Sequence, residues 1–227
     1  DGFVPISLDA ALDLVAEMFA SAAARHGPQS VGLYKGESLK HQEVAAYLKH
    51  LAYGLGTPNY LSVGSLCHRA MAMGHGLTYG EIPHPDYDRA RAALIWGANP
   101  AASSQRGYAE LRQAARKGLK TVVVDPARTA TAGSADCHLA VTPGADGYLA
   151  LAFLGRAVDS GLAPAPGAEG FAELEGLVKA QDQAALLARA GVGPGDFERA
   201  WSILSANRPV FVQTGLGLEL KPSGVQT

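Results

Sequence analysis

Three short stretches of this chain place polar and turn residues where apolar runs stop. They are "WGANP" (96–100), "DPARTATA" (125–132) and "TPGADG" (142–147). In open α/β sheets, ligands bind beyond the carboxyl ends of the strands, close to helix starts. Three such turns in succession are therefore expected to face one crevice. Gly97 allows a ligand close to the backbone, and the amides after Asn99 and Pro100 can meet phosphate oxygens at a helix start. Asp146 can accept two hydrogen bonds from a purine edge with adjacent N–H donors, as guanine has. Arg128 can supply charge to a diphosphate. A plainer reading stands beside this one: Pro100, Asp125 and Pro126 only end strands, and Asp146 caps the helix that follows. None of the turns matches the G-x-G-x-x-G fingerprint or the P-loop.

The second chemical feature is Cys67, followed by His68, in "YLSVGSLCHRAMAMGHGLTYG" (60–80). It is open to four readings: a packed thiol, half of a disulfide, a nucleophile or a metal ligand. The chain has only two cysteines, Cys67 and Cys137, and no C-x-x-C, which argues against a disulfide framework and against a cysteine-built zinc or iron–sulfur site in this chain. Spacing alone favours a buried, inert thiol. His68 can carry a proton near neutral pH. Cys137, in "ADCHLAV", reads as core, and Met71 and Met73 read as core packing. Glu37, His75 and His84 read as loop residues without ligand spacing.

These residues need elements to hold them. Ser7 is expected to N-cap a helix with Asp9 in its first turn and Gly27 as its stop; Leu8, Leu12, Val15 and Phe19 share one face of it. A short strand in 30–36 and a helix ended by Gly54 and Gly56 follow. Strands are then expected in "ARAALIW", "KTVVV" and "CHLAV", separated by an amphipathic helix that Gly118 closes. A helix from Asp146, a Pro/Gly/Ala loop (162–170), further helical pieces and a strand from Pro209 to Gln213 complete the chain. Alternation of this kind predicts an α/β fold with parallel sheets flanked by helices. With 227 residues, nearly half of them apolar, and a formal charge of only −2, the composition is that of an ordinary globular chain. No run of one charge sign points to a nucleic acid, and no apolar segment reaches the ~20 residues needed to span a bilayer.

Taken in order, "GFVPISLDAALDLVAE", "GTPN", "SLCH", "WGANPAASS", "KTVVVDPARTATAGSAD" and "TPGADGYLALA" resemble the molybdopterin oxidoreductases of the DMSO-reductase superfamily over almost the whole chain. Each motif is weak alone; six in the right order are specific. The resemblance implies a Rossmann-like dinucleotide-binding domain plus part of a neighbouring α/β domain. It divides the chain into 1–62, the first part of a cofactor-binding domain; 63–208, a domain carrying the metal-ligand cysteine and the guanine-dinucleotide turns; and 209–227, a return to the first domain. It implies molybdenum or tungsten held by two molybdopterin guanine dinucleotides (bis-MGD), with Cys67 as protein ligand to the metal. His68 and Arg69 then lie at the substrate face. Gly97, Asn99, Pro100, Asp125, Arg128, Asp146 and Gly215 are implied to line the dinucleotide. The chain departs from the family in two places. Asp125-Pro126-Ala127 stands where Asp-Pro-Arg is usual, and Gly144-Ala145-Asp146 where Gly-Thr-Asp is frequent.

The cysteine cluster of a [4Fe-4S] centre and the final domain found in relatives are expected only in a longer parent, which makes this chain a fragment, inactive alone. The implied partners are an iron–sulfur electron-transfer subunit, a small anionic substrate and, in some arrangements, a membrane-anchor subunit. A periplasmic or membrane-associated complex is favoured over the cytoplasm. "SLCHRA" and "GESLKHQ" look closer to polysulfide and thiosulfate reductases than to formate dehydrogenases, which commonly follow the Cys-His pair with Gly-Pro where this chain has Arg69-Ala70. The expected reaction is therefore two-electron atom transfer on a sulfur compound or similar oxyanion. The alternatives are a formate dehydrogenase and, of another class, a non-catalytic scaffold relative without metal.

Overall fold

A computed structural model describes residues 2–36, 42–161, 164 and 167–219. The chain forms two compact units, 1–65 and 66–227. The first holds α1 (Leu8–His26), β1 (Leu33–Lys35), α2 (Gln42–Leu55) and β2 (Tyr60–Ser62), with β1 and β2 paired in parallel. α1 starts as its sequence dictates: the Ser7 hydroxyl accepts from the Ala10 amide, and Gly27, at φ +83°, ends the helix. Of the expected apolar face, Leu8, Leu12 and Val15 are exposed and Phe19 is partly buried. Thr57 is buried, and its hydroxyl donates to the Val31 carbonyl at 2.6 Å, closing the turn into β2.

The short helix α3 (Gly64–Cys67) leads into α4 (Arg69–Tyr79). The second unit then alternates: β3 (Ala92–Trp96), α5 (Pro100–Ser103), α6 (Gln105–Arg116), β4 (Lys120–Val124), α7 (Ala130–Gly133), β5 (Cys137–Leu139) and α8 (Asp146–Asp159). It closes with α9 (Phe171–Lys179), α10 (Gln183–Ala190), α11 (Pro194–Ala206), β6 (Val210–Thr214) and a 3-10 turn, Leu216–Leu218. The strands lie in the order β5-β4-β3-β6, all parallel.

β6 lies beside β3. Val210–Thr214 pairs along the full length of β3, with Ala92 opposite Val210 and Trp96 opposite Thr214, so the chain remains in the second unit here. The apolar pattern explains the pairing: β3 is buried at every position and needs a neighbour on each side.

Both faces of the sheet are covered, as a parallel sheet requires. Ala92, Leu94, Trp96, Val122 and Val124 pack on the α8, α10 and α11 side with Leu149, Leu187 and Phe197. Ala93, Ile95 and Val123 pack on the other side with Leu111, Ala114 and Ala132. That is why β3 and β4 read as continuous apolar runs rather than alternating ones. Among the described residues no helix is long and apolar enough to cross a membrane.

Candidate functional site

Because the four strands are parallel and in register, their carboxyl ends share one edge. Hydrogen bonds continue past the strands there. Gly97 N donates to Val124 O at 2.9 Å, Asp125 N to Leu139 O at 3.1 Å, and Gly215 N to Trp96 O at 2.9 Å. The turns after β3, β4 and β6 are thus tied laterally and sit at one end of the sheet.

Asp146 is 6% exposed and opens α8; Ala145, not Asp146, occupies the N-cap position. Its Oδ1 accepts from the Trp96 indole Nε1 at 2.9 Å. A carboxylate this buried needs such donors, since desolvation without them is costly. Trp96 was missed as a site residue; its signal was an indole placed immediately before a strand-end glycine. Asp125 Oδ1 accepts from the Ala127 amide at 2.8 Å and so shapes its own turn. Arg128 is exposed and makes no ion pair among the described residues.

The amides after Asn99 are engaged internally. Ala101 N donates to Thr131 Oγ1 at 3.2 Å, and Ala102 N and Ser103 N both donate to Asn99 O at 3.0 Å. Pro100 has no N–H to offer and is buried. The helix they start is four residues long. Asn99 Oδ1 accepts from the hydroxyl of Thr131, which is 1% exposed, at 2.7 Å. Thr131, which pattern reading did not single out, joins the β3 and β4 turns. Gly97 is tightly approached. Its φ is +60°, and a Cβ there would lie 3.1 Å from Leu218 N and 3.2 Å from Gly217 Cα. The backbone that approaches Gly97 is the chain's own. Gly217 N donates to Gly97 O at 3.0 Å, and a Cβ on Gly215 would press into Ala98, 2.7 Å from its Cα.

Cys67 ends α3 and is half-buried rather than sealed in the core, so spacing misjudged its exposure. His68 and Arg69 are exposed at the start of α4. His75 is not a loop residue: it lies in α4, with Nε2 3.3 Å from Thr214 Oγ1. Met73 is 50% exposed, not core. Glu219, also missed, is 9% exposed, and its Oε2 accepts from the Met71 amide at 3.1 Å. His84 is an exposed loop residue, and Glu37 lies outside the described residues. Cys137 is the opposite of Cys67: buried in β5, with its thiol pushed up by burial. Both cysteines are free. Among the described residues no three His, Cys, Asp or Glu side chains gather as a metal site.

The profile of the molybdopterin oxidoreductase family matches residues 1–164. An assimilatory nitrate reductase of Haloferax mediterranei is 33% identical over 95% of this chain and 32% of its own length. The molybdopterin-containing subunit of the arsenate respiratory reductase of a Shewanella species is 34% identical over 66% of this chain and 18% of its own length. In solved structures, acetylene hydratase from Pelobacter acetylenicus superimposes with a TM-score of 0.79 at 25% identity, covering 98% of this chain and 31% of that one. The chain thus spans about a third or less of the length of these proteins. Their names are those of nitrate, arsenate and acetylene enzymes and not of the sulfur-compound reductases that the motifs had suggested. On the family profile and the first relative together, the chain belongs to the molybdopterin oxidoreductase family, whose cofactor is a molybdopterin bearing molybdenum or tungsten.

Proposed function

We propose that this chain is the part of a catalytic subunit that receives one guanine dinucleotide of a bis-MGD cofactor at the carboxyl edge of its four-stranded sheet and offers Cys67 to the metal. The observation that carries this reading is Asp146, an anionic acceptor 6% exposed at that edge and steadied by the Trp96 indole. Its chemistry suits the adjacent N–H donors of a guanine edge. Arg128, exposed on the neighbouring turn, suits a diphosphate. A half-exposed thiol at a helix end suits a soft metal centre whose remaining ligands are sulfurs outside the protein. When bound, the group supplies two-electron redox chemistry that no side chain here provides.

The protein's own residues then bind and orient. Asp146 holds the base, Asp125 and Thr131 keep the turns in shape, and Cys67 fixes the approach to the metal. His68 and Arg69, both exposed beside it, hold a small anion and move a proton. The substrate class is a small oxyanion. The relatives named for nitrate and arsenate support that class, whereas the narrower polysulfide and thiosulfate reading rests on the "SLCHRA" and "GESLKHQ" motifs. Electrons are exchanged with an iron–sulfur partner or cluster outside this chain.

The full-length protein, purified with and without Cys67→Ala, tests this. Metal and guanine analysis should find the cofactor in the wild type. Rates on nitrate and arsenate should exceed those on thiosulfate, polysulfide, formate and acetylene, and C67A should lose them. A wild type without pterin or metal, or a C67A enzyme at full rate, overturns the reading.

A further inference from the structure

We propose that Glu219 is a positioning residue for the Cys67–Arg69 turn, acting as a remote cap on α4. The inference rests on the reading of Cys67 given above. α4 starts at Arg69, and its N-cap residue, His68, makes no side-chain capping bond. No Ser, Thr, Asp or Asn occupies 66–68. First-turn amides have no partner within a helix and require one from elsewhere. Glu219 supplies it across the chain: its Oε2 accepts from Met71 N at 3.1 Å, and the side chain belongs to a residue only 9% exposed. A carboxylate at a helix N-terminus gains from the dipole as well as from a charge-assisted bond.

What holds Glu219 gives the contact its meaning. Glu219 N donates to Leu216 O at 3.0 Å, Gly217 N donates to Gly97 O at 3.0 Å, and Leu218 is buried in the core beneath. One turn further along α4, His75 meets Thr214 at 3.3 Å. The segment from Thr214 to Glu219 is therefore a strut. One end is fixed on the β3 edge beside Trp96 and Asp146; the other fixes the first turn of α4, directly after Cys67. A cap from the same loop would fix the start of α4 to that loop alone. This one refers the thiol turn to the edge proposed to hold the dinucleotide.

The test uses the full-length protein as wild type, Glu219→Gln and Glu219→Ala. Three quantities are read: hydrogen exchange at the Met71 amide, the iodoacetamide rate of Cys67 in cofactor-free protein, and the electron paramagnetic resonance signal of the metal in loaded protein. E219A should speed both Met71 exchange and Cys67 alkylation by about tenfold, the factor expected for loss of a charge-assisted bond. It should also change the metal signal at unchanged metal content. E219Q keeps an acceptor and should stay within about threefold of wild type. If E219A does not fold, Glu219→Asp, one methylene short of Met71, should move all three readouts in the same direction. Unchanged Met71 exchange, or faster exchange with unchanged Cys67 rate and metal signal, overturns the proposal. Absence of metal from the wild type overturns the metal-ligand reading instead, and the exchange and alkylation rates still decide the role of Glu219.

Discussion

Gly215→Ala isolates the contact on which the strand-end edge depends. At φ −134° and ψ 178°, Gly215 has a backbone conformation open to any residue, so alanine adds no torsional strain. What it adds is a methyl group directed at backbone: the new Cβ would lie 2.6 Å from Ala98 Cβ and 2.7 Å from Ala98 Cα, and closer still to Gly97 O. These atoms cannot turn aside as a flexible side chain can, so the β6 turn must lift from the β3 turn. That strains or breaks the bonds from Gly215 N to Trp96 O (2.9 Å) and from Gly217 N to Gly97 O (3.0 Å). Overpacking costs about 1–3 kcal/mol and each weakened bond about 1 kcal/mol, which gives about 3–5 kcal/mol in all. In a chain of this size that lowers the midpoint of thermal unfolding by about 10 °C. Circular dichroism melting measures it, with Gly176→Ala as the control. Gly176 is exposed in α9 with no heavy atom within 4 Å of its would-be Cβ, and alanine there should stabilise by about 0.5–1 kcal/mol. A G215A midpoint within about 2 °C of wild type would refute the close-approach argument.

Trp96→Phe keeps the ring in the core but removes the indole donor to Asp146. It should cost about 1.5–3 kcal/mol in urea unfolding, more than the removal of a neutral bond, and a loss below about 0.5 kcal/mol would speak against the pair. Iodoacetamide at neutral pH should label Cys67 and leave Cys137 unmodified until the chain unfolds, because the Cys137 thiol is buried and pushed up by that burial; peptide mapping by mass spectrometry reads both. Burial raises the Asp136 carboxyl, but bonds from the Thr121 amide and Lys120 outweigh it and hold the group below the ordinary carboxylate value. A depressed folded-state value means that the stabilisation is present above the unfolded value and is lost as pH falls through the folded one. Asp136→Ala should therefore cost about 1–2 kcal/mol at neutral pH, solvent screening of the Lys120 pair included, and the gap to wild type should close in acid titration followed by fluorescence.

The fold was legible because its signals are local and redundant. Ser7 before an amphipathic run, Gly118 after one, and the apolar runs 92–96 and 120–124 each name an element without help from the rest of the chain. What escaped were contacts across long sequence distances. Nothing near residue 219 says that its carboxylate meets the amide of Met71, and nothing near Asn99 says that its side chain answers to Thr131. Gly97 makes another contact of this kind. Its positive φ and its need for space are real, but the space is taken by Gly217. The exposure of Cys67 also depends on how α3 and α4 meet, which spacing does not encode. The narrower sulfur-compound resemblance rested on two short stretches, "SLCHRA" and "GESLKHQ", and so had the least to constrain it.

The placement of polar groups in the second unit follows from the parallel sheet. With both faces buried under helices, neither face of β3 or β4 can expose a carboxylate or hydroxyl to a ligand. Polar chemistry is driven to the ends of the strands. At the carboxyl end the amides just past β3, β4 and β6, those of Gly97, Asp125 and Gly215, donate to the last carbonyls of β4, β5 and β3. The turns that result share a ladder, so a displacement of one is felt by its neighbours. Glycine at 97, 215 and 217 lets two of these turns meet backbone to backbone, and it is the second of them that carries Glu219 to α4. The edge that presents Asp146 and the turn that presents Cys67 are therefore held by one continuous set of short contacts. Changes at either should be felt at the other.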